Sequence, residues 1–497
     1  MFVISPYKDW LIQLSEKLPD KELISFNGID LKSGELLKKR NSVCEILHKS
    51  QISPKDTVAI ISDNTLEFVV ELLAIWTVGA VPVPINIRQS ENEIIEQLDF
   101  VNAKLVFTES KLNLFNNKKL KFNIVSNDEA FNNSEAAVSE KWQIEPESLA
   151  LLMFTSGASG TPKCVEITFR NLISSAGAVL KFLNVSPTET WLATLPFYHI
   201  GGFSIIIRAL LGGNKLIIPQ SNFFENISKY ILSGKGNYLS LVPTMLRKLL
   251  NSKIIPHKDI KTVFLGGGRV TLEIVNRAIK SGYKIVTVYG STETSSMIAA
   301  DKLDVKIIKS SFAGKPLGNC EFQIINESGQ KLSPEQIGEI AISSESVANG
   351  YLNNELEKSR RFKRDSKTKK KFYLTNDLGK IDSEGSLYVL GRKDDIIISG
   401  GENISTIEVA DKIKEINFVE DSFAFGIEDE NWGEKLTAVA VLKNGKDKTA
   451  QELKSQLEKY LPSYKIPKEI FIVSEIPRSA LGKVIKDKIL LLIKKEK

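Results

Sequence analysis

Short runs of β-branched and aliphatic residues alternate with helical patterns along most of the chain. TVAIIS (Thr57 to Ser62) precedes one helical stretch and KLVFTE (Lys104 to Glu109) follows another. TVFLGGG (Thr262 to Gly268) and KIVTVYG (Lys284 to Gly290) flank a third. Strands separated by helices in this way predict parallel sheets built from βαβ units. No fixed period recurs, which excludes a solenoid or propeller. The most apolar stretch, Phe68 to Ile87, is nearly long enough to span a bilayer, but Glu71 and two prolines interrupt it. A core helix running into a core strand fits that pattern better than a membrane span. Residues 111–142 are rich in Asn and Lys with little periodicity and read as a surface excursion. Toward the end, SFAFGI (Ser422 to Ile427) and LTAVAVL (Leu436 to Leu442) predict strands, and ELKSQLEKYL (Glu452 to Leu461) predicts a helix. They predict a small C-terminal α/β domain, joined near residues 391–395.

At 497 residues the chain is long enough for two to four domains and needs no disulfide or metal staple to bury a core. Three cysteines without a C-x-x-C pair, together with three histidines, argue against a disulfide framework and against a Cys/His zinc site. A net charge of +6 is too mild to announce a nucleic-acid binder. The N-terminus lacks a basic stretch followed by an apolar core, so no signal peptide is expected and the chain reads as cytoplasmic. Nine of the fourteen residues from Lys358 to Lys371 are basic. Without an interleaved aromatic series, that run reads as a solvated loop and not a nucleic-acid surface.

Candidate chemistry lies in loops that follow apolar strands. LLMFTSGASGTPKCV carries a loop of small residues, Thr155 to Lys163, in which backbone N–H groups, the hydroxyls of Thr155, Ser156, Ser159 and Thr161, and the Lys163 cation suit a polyphosphate. Pro162 and Cys164 stand where a Walker A loop needs glycine and Ser/Thr. No G-x-S-x-G elbow is present, which counts against an esterase. In TVYGSTETSS, Tyr289 could stack on a base, Thr292 could donate to a phosphate and Glu293 could hold Mg²⁺. Asp377 in LTNDLGKID suits ribose hydroxyls, Arg392 opens RKDDIIISGGENIS, and Lys483 ends PRSALGK.

Taken together and in order, TSGASGTPK, YGSTE, TNDLG, GRKDDIIISGGENIS and PRSALGK resemble the adenylate-forming superfamily of acyl-CoA synthetases, amino-acid adenylation domains and luciferases. LLAIWTVGAVPVPIN adds a weaker likeness, so the resemblance covers nearly the whole chain. It implies an α/β fold: a large N-terminal domain (1–392) of two βαβ-type subdomains plus a small β-barrel, and a mobile C-terminal domain (393–497) that hinges near Asp394. It also implies ATP, Mg²⁺ and coenzyme A, with acyl-AMP formed first and a thiol taking the acyl group second. By that likeness Thr155, Ser156, Gly157, Ser159, Gly160, Thr161 and Lys163 cradle the β- and γ-phosphates. Gly266, Gly267 and Gly268 with Tyr289 frame the adenine and acyl pocket, Thr292 and Glu293 serve phosphate and metal, Asp377 and Arg392 hold ribose and phosphate, and Lys483 bridges the α-phosphate and the attacking carboxylate. Cys164 and Asn376 depart from the family pattern, each replacing a usual glycine.

The segment LPFYHIGGFSIIIRALLGG speaks to the acid. His199 is either a satisfied core histidine or, by likeness to acid–CoA ligases, part of the acyl pocket. The aspartate that amino-acid adenylation domains use for the α-amine is missing. Arg208 lies among Ile205, Ile206, Ile207, Ala209 and Leu210; it either sits on an exposed helix edge or is buried and paired. The stretch is similar to that of o-succinylbenzoate–CoA ligases of menaquinone biosynthesis, in which an arginine binds the substrate's aromatic carboxylate. The alternatives are a synthetase for a monocarboxylic acid, with Arg208 facing solvent, or a non-catalytic binding protein using the basic run. The oligomeric state, including a homo-oligomer, stays open.

Overall fold

A computed structural model of the chain describes residues 4–109, 122–127, 142–155, 163–220, 223–268, 270–302, 312–365, 370–399, 402–443, 447–479, 482 and 484–495. The chain divides into two compact units. One comprises Met1–Gln323, Ala341–Leu374 and Asp382–Tyr388; the other comprises Ile324–Ile340, Thr375–Ile381 and Val389–Lys497. The architecture is mixed α/β, with a large N-terminal and a smaller C-terminal domain.

The first unit contains a small parallel sheet and a larger mixed sheet with a parallel centre. In the smaller one, the strands Val81–Pro84, Thr57–Ile61, Leu105–Thr108 and Asn123–Ser126 lie side by side in that order. The last of these falls inside the stretch read above as a surface excursion. For residues 123–126 that expectation is corrected, because a four-residue edge strand is too short to leave a periodic signature; 111–121 and 128–141 lie outside the described residues. In the larger sheet, Ile285–Ser291, Thr262–Leu265, Tyr238–Leu241, Thr190–Leu192, Lys215–Ile218 and Glu22–Phe26 run parallel. Alternation along these strands feeds two cores. Trp191, Tyr238, Phe264 and Val286 point to one that holds the helices Phe169–Leu183 and Ile200–Gly212. Leu192, Leu239, Val263 and Ile285 point to the other, with the helices Phe223–Ser233, Pro243–Asn251 and Leu272–Lys280. Period-two side-chain alternation with both faces apolar is what a sheet covered on both sides requires.

The apolar run at Phe68–Ile87 becomes the helix Leu66–Thr77, capped by the Thr65 side chain, and the strand Val81–Pro84. Among the described residues no helix is long and apolar enough to cross a membrane. Glu71 in that helix is fully buried, and neither carboxylate oxygen has a hydrogen-bond partner among the described residues. Burial, followed by the charges of Glu67 and Glu109, pushes its carboxyl well above the ordinary range. A raised carboxyl pKa means that the folded state binds the proton more tightly than the unfolded chain. Stability is therefore lost as pH rises above the ordinary glutamate value of about 4.3. Glu71→Met should raise stability by about 1–3 kcal/mol, the usual cost of an unsatisfied buried polar group. Thermal melts should show a larger gain at pH 8 than at pH 5, and a pH-independent gain would contradict the assignment to ionisation.

In the second unit Val419–Asp429 and Gly433–Leu442 form a long antiparallel pair, with Glu469–Ile472 parallel to the second strand. The helices Thr406–Glu415 and Ala450–Leu457 cover this sheet through Val409, Ile413, Leu453 and Leu457. The two strands and the helix expected from the sequence all form.

Candidate active site

His199, Gly266–Gly268 and Tyr289–Glu293 lie at or beyond the carboxyl ends of parallel strands of one sheet, the usual place for a ligand in an open α/β sheet. Leu195–His199 follows Thr190–Leu192, Gly266–Gly268 follows Thr262–Leu265, and Tyr289–Glu293 spans the end of Ile285–Ser291 and the turn after it. Close packing explains some of the small residues. A Cβ at Gly266 would lie 2.5 Å from Val288 Cγ2, and one at Gly202 would lie 2.1 Å from the Pro196 carbonyl oxygen.

His199 is the N-cap of the Ile200–Gly212 helix, with its ring edge-on to Tyr198. Asn64, which the sequence reading missed, clamps the loop before it. Its amide donates to the Leu195 carbonyl at 2.9 Å and accepts from the Phe197 N–H at 2.8 Å.

Arg208 is on the same helix, at 0% exposure. The reading of an exposed helix edge does not hold. Every residue from Gly202 to Gly212 is buried, so the helix has no solvent face for periodicity to reveal. The guanidinium Nη2 donates to Ser296 Oγ at 3.1 Å, and Ser204 Oγ donates to the same hydroxyl at 3.1 Å. The rings of Trp191 and Phe264 lie 5.7 and 6.0 Å away. Nε and Nη1 have no hydrogen-bond partner among the described residues, and burial pushes the group down to about 9, still cationic at neutral pH. A buried cation with unmet donors calls for an anionic or hydrogen-bonding partner. Ser296 takes φ +92 and Ser295 φ +53, strained positions for non-glycine residues. Side-chain bonds from Ser175 to the Ser295 carbonyl and from Ser295 to the Ser346 carbonyl hold them there.

Thr292 and Glu293 form a single 3₁₀ turn. Glu293 Oε1 accepts from the Tyr351 hydroxyl at 3.0 Å, and the Glu293 carbonyl accepts from the Ala348 N–H at 2.8 Å. Burial and the neighbouring Glu293 push the Tyr351 phenol up, so it stays a donor. Lys163 pairs with Glu357 at 2.6 Å, and Arg361 reaches the same carboxylate oxygen at 3.1 Å. Burial pushes the Glu357 carboxyl up, but these two cations more than offset that and hold it below the usual range. Cys164, on the strand Lys163–Thr168, is packed as a small buried hydrophobe. Thr155 ends the facing strand, Leu149–Thr155. Ser156, Gly157, Ser159, Gly160 and Thr161 lie outside the described residues, and so does Lys483.

In the second unit, Asp377 Oδ1 lies 3.4 Å from Arg392 Nε. Asn376 explains its own tolerance there. It takes φ +66, a left-handed conformation that asparagine adopts more readily than other non-glycine residues, and its N–H donates to Glu339 at 3.0 Å. Asp394 belongs to the 3₁₀ turn Lys393–Asp395.

Among the described residues no cluster of three or more His, Cys, Asp or Glu could cage a metal ion. Mg²⁺, a hard and reluctantly dehydrated cation, is usually held by an arrangement of one or two carboxylates plus substrate phosphates. Glu293 and the neighbouring Thr292 fit the protein's share of it.

Residues 13–352 match the family model described as AMP-binding enzyme, and 408–483 match the model of its C-terminal domain. The chain belongs to the AMP-binding enzyme family. Among relatives in that family, the 2-succinylbenzoate–CoA ligase of Oceanobacillus iheyensis is 30% identical over 486 residues, which is 96% of this chain and 98% of the relative. The o-succinylbenzoate CoA synthetase of Bacillus subtilis, solved with its acyl-adenylate intermediate, superposes with a TM-score of 0.89 at 30% identity. That match covers 97% of this chain and 98% of the other. The same enzyme solved with ATP and magnesium ion superposes at 0.88, again at 30% identity, over 97% of this chain and 99% of the other.

Proposed function

We propose that this ATP-dependent, AMP-forming acid–CoA ligase takes 2-succinylbenzoate as its acid. The succinyl carboxylate displaces pyrophosphate from ATP to give the acyl-adenylate; CoA then displaces AMP to give 2-succinylbenzoyl-CoA. The observation that carries the choice of acid is Arg208, a buried guanidinium whose Nε and Nη1 are unmatched among the described residues. A monocarboxylate would leave that cation unpaired in an apolar surrounding, whereas the ring carboxylate of 2-succinylbenzoate answers it with paired charge-assisted hydrogen bonds. The relatives named for this substrate point the same way. ATP–pyrophosphate exchange across a panel of acids tests the assignment.

In this reading the Thr155–Lys163 loop receives the β- and γ-phosphates, with Lys163 leaving Glu357 to Arg361. Tyr289 and Gly266–Gly268 border the adenine and acyl pocket, His199 lines the acyl side, and Asp377 and Arg392 serve the ribose and phosphate. Thr292 and Glu293 would hold Mg²⁺, which when bound would neutralise phosphate charge. Lys483 brings a cation to the α-phosphoryl oxygens, where charge develops during in-line displacement. Among partners, the reading calls for the acid, ATP and CoA and for no nucleic acid, with the protein working in the cytoplasm.

The C-terminal domain, 393–497, turns about Asp394 between the two half-reactions. A hinge residue must change φ/ψ widely, and proline fixes φ near −65°. Asp394→Pro should therefore keep single-turnover acyl-AMP formation and lose thioester formation. Near-normal thioester synthesis by this variant would move the hinge elsewhere.

A further inference from the structure

Tyr351 touches both of the groups assigned above to phosphate and metal. Its hydroxyl donates to Glu293 Oε1 at 3.0 Å, and the Lys163 ammonium lies 5.5 Å from the centre of its ring. The backbone fixes this placement. The two-residue strand Gly350–Tyr351 pairs antiparallel with Lys163–Thr168, setting Tyr351 opposite Val165. The Leu352 N–H donates to the Cys164 carbonyl at 2.8 Å and the Asn349 N–H to the Glu166 carbonyl at 2.9 Å. At the other end of the segment the Ala348 N–H holds the Glu293 carbonyl. The ring is 2% exposed and packs edge-on to Phe362 at 5.6 Å, which locks its rotamer. With one carboxylate oxygen of Glu293 bound by the phenol, the second has no hydrogen bond among the described residues.

We infer that Tyr351 is a positioning residue: its hydroxyl aims the free oxygen of Glu293 at the metal–phosphate site, and its ring and strand hold Lys163 in register with it. The inference rests on the adenylation reading. A hydrogen-bonded partner behind a ligating carboxylate typically changes metal affinity by about 10–100-fold when removed.

Tyr351→Phe keeps the ring, the strand and the face toward Lys163, and deletes only the hydroxyl. Mn²⁺ binding, read by electron paramagnetic resonance on enzyme saturated with a non-hydrolysable ATP analogue, should weaken about tenfold or more. Exchange activity should return as Mg²⁺ is raised, and KM for the acid should not move. If Mn²⁺ binding and Mg²⁺ dependence match the native enzyme while only the melting temperature changes, Tyr351 is structural and the inference falls. If the native enzyme shows no metal-dependent exchange with any acid, the adenylation reading falls instead, so the two failures are distinguishable.

Discussion

Arg208→Ala should lower kcat/KM for 2-succinylbenzoate by roughly 30- to several-thousand-fold. Removing one partner of a desolvated charge pair typically costs about 2–5 kcal/mol, and that cost converts directly to this range. The loss should be confined to acids with a ring carboxylate. A monocarboxylate analogue lacking it leaves the native guanidinium unanswered, so that analogue should already be poor and the substitution should hardly worsen it. Steady-state kinetics of both enzymes on both acids decide this. Equal damage on the two would reduce Arg208 to a packing residue, a role its contacts with Trp191 and Phe264 could also support.

The second large effect belongs to Lys483. A lysine is a compact charge on a flexible stem, suited to approach the α-phosphate in one half-reaction and withdraw in the other. Lys483→Ala should lose most acyl-AMP synthesis and still convert supplied acyl-AMP to the CoA thioester. Separate assays of the two half-reactions read this, and equal loss in both would reject the division of labour.

The sequence made the parallel sheets legible because short apolar strand runs such as TVFLGGG and KIVTVYG alternate with helical patterns, and in the structure helices pack on both faces of those strands. It also marked the candidate phosphate and adenine loops, because small and hydroxylated residues cluster where strands end. Three things were hidden, each for a physical reason. The direction of Arg208 was ambiguous because its helix is apolar on all sides, leaving no polar face as a reference. Ser296, Tyr351 and Asn64 carry no local signature: each matters through a partner distant in sequence, and only pairing such as Gly350–Tyr351 with Lys163–Thr168 brings the partners together. Asn376 looked like a departure from glycine until its φ of +66 revealed the conformation that both residues share.

ATP–pyrophosphate exchange with the native enzyme, run across 2-succinylbenzoate, its analogue without the ring carboxylate, and simple fatty and aryl acids, tests the substrate assignment most directly. Exchange should be strong with the diacid and weak with every monoacid. Exchange that is equal or faster with a simple monocarboxylic acid would contradict it.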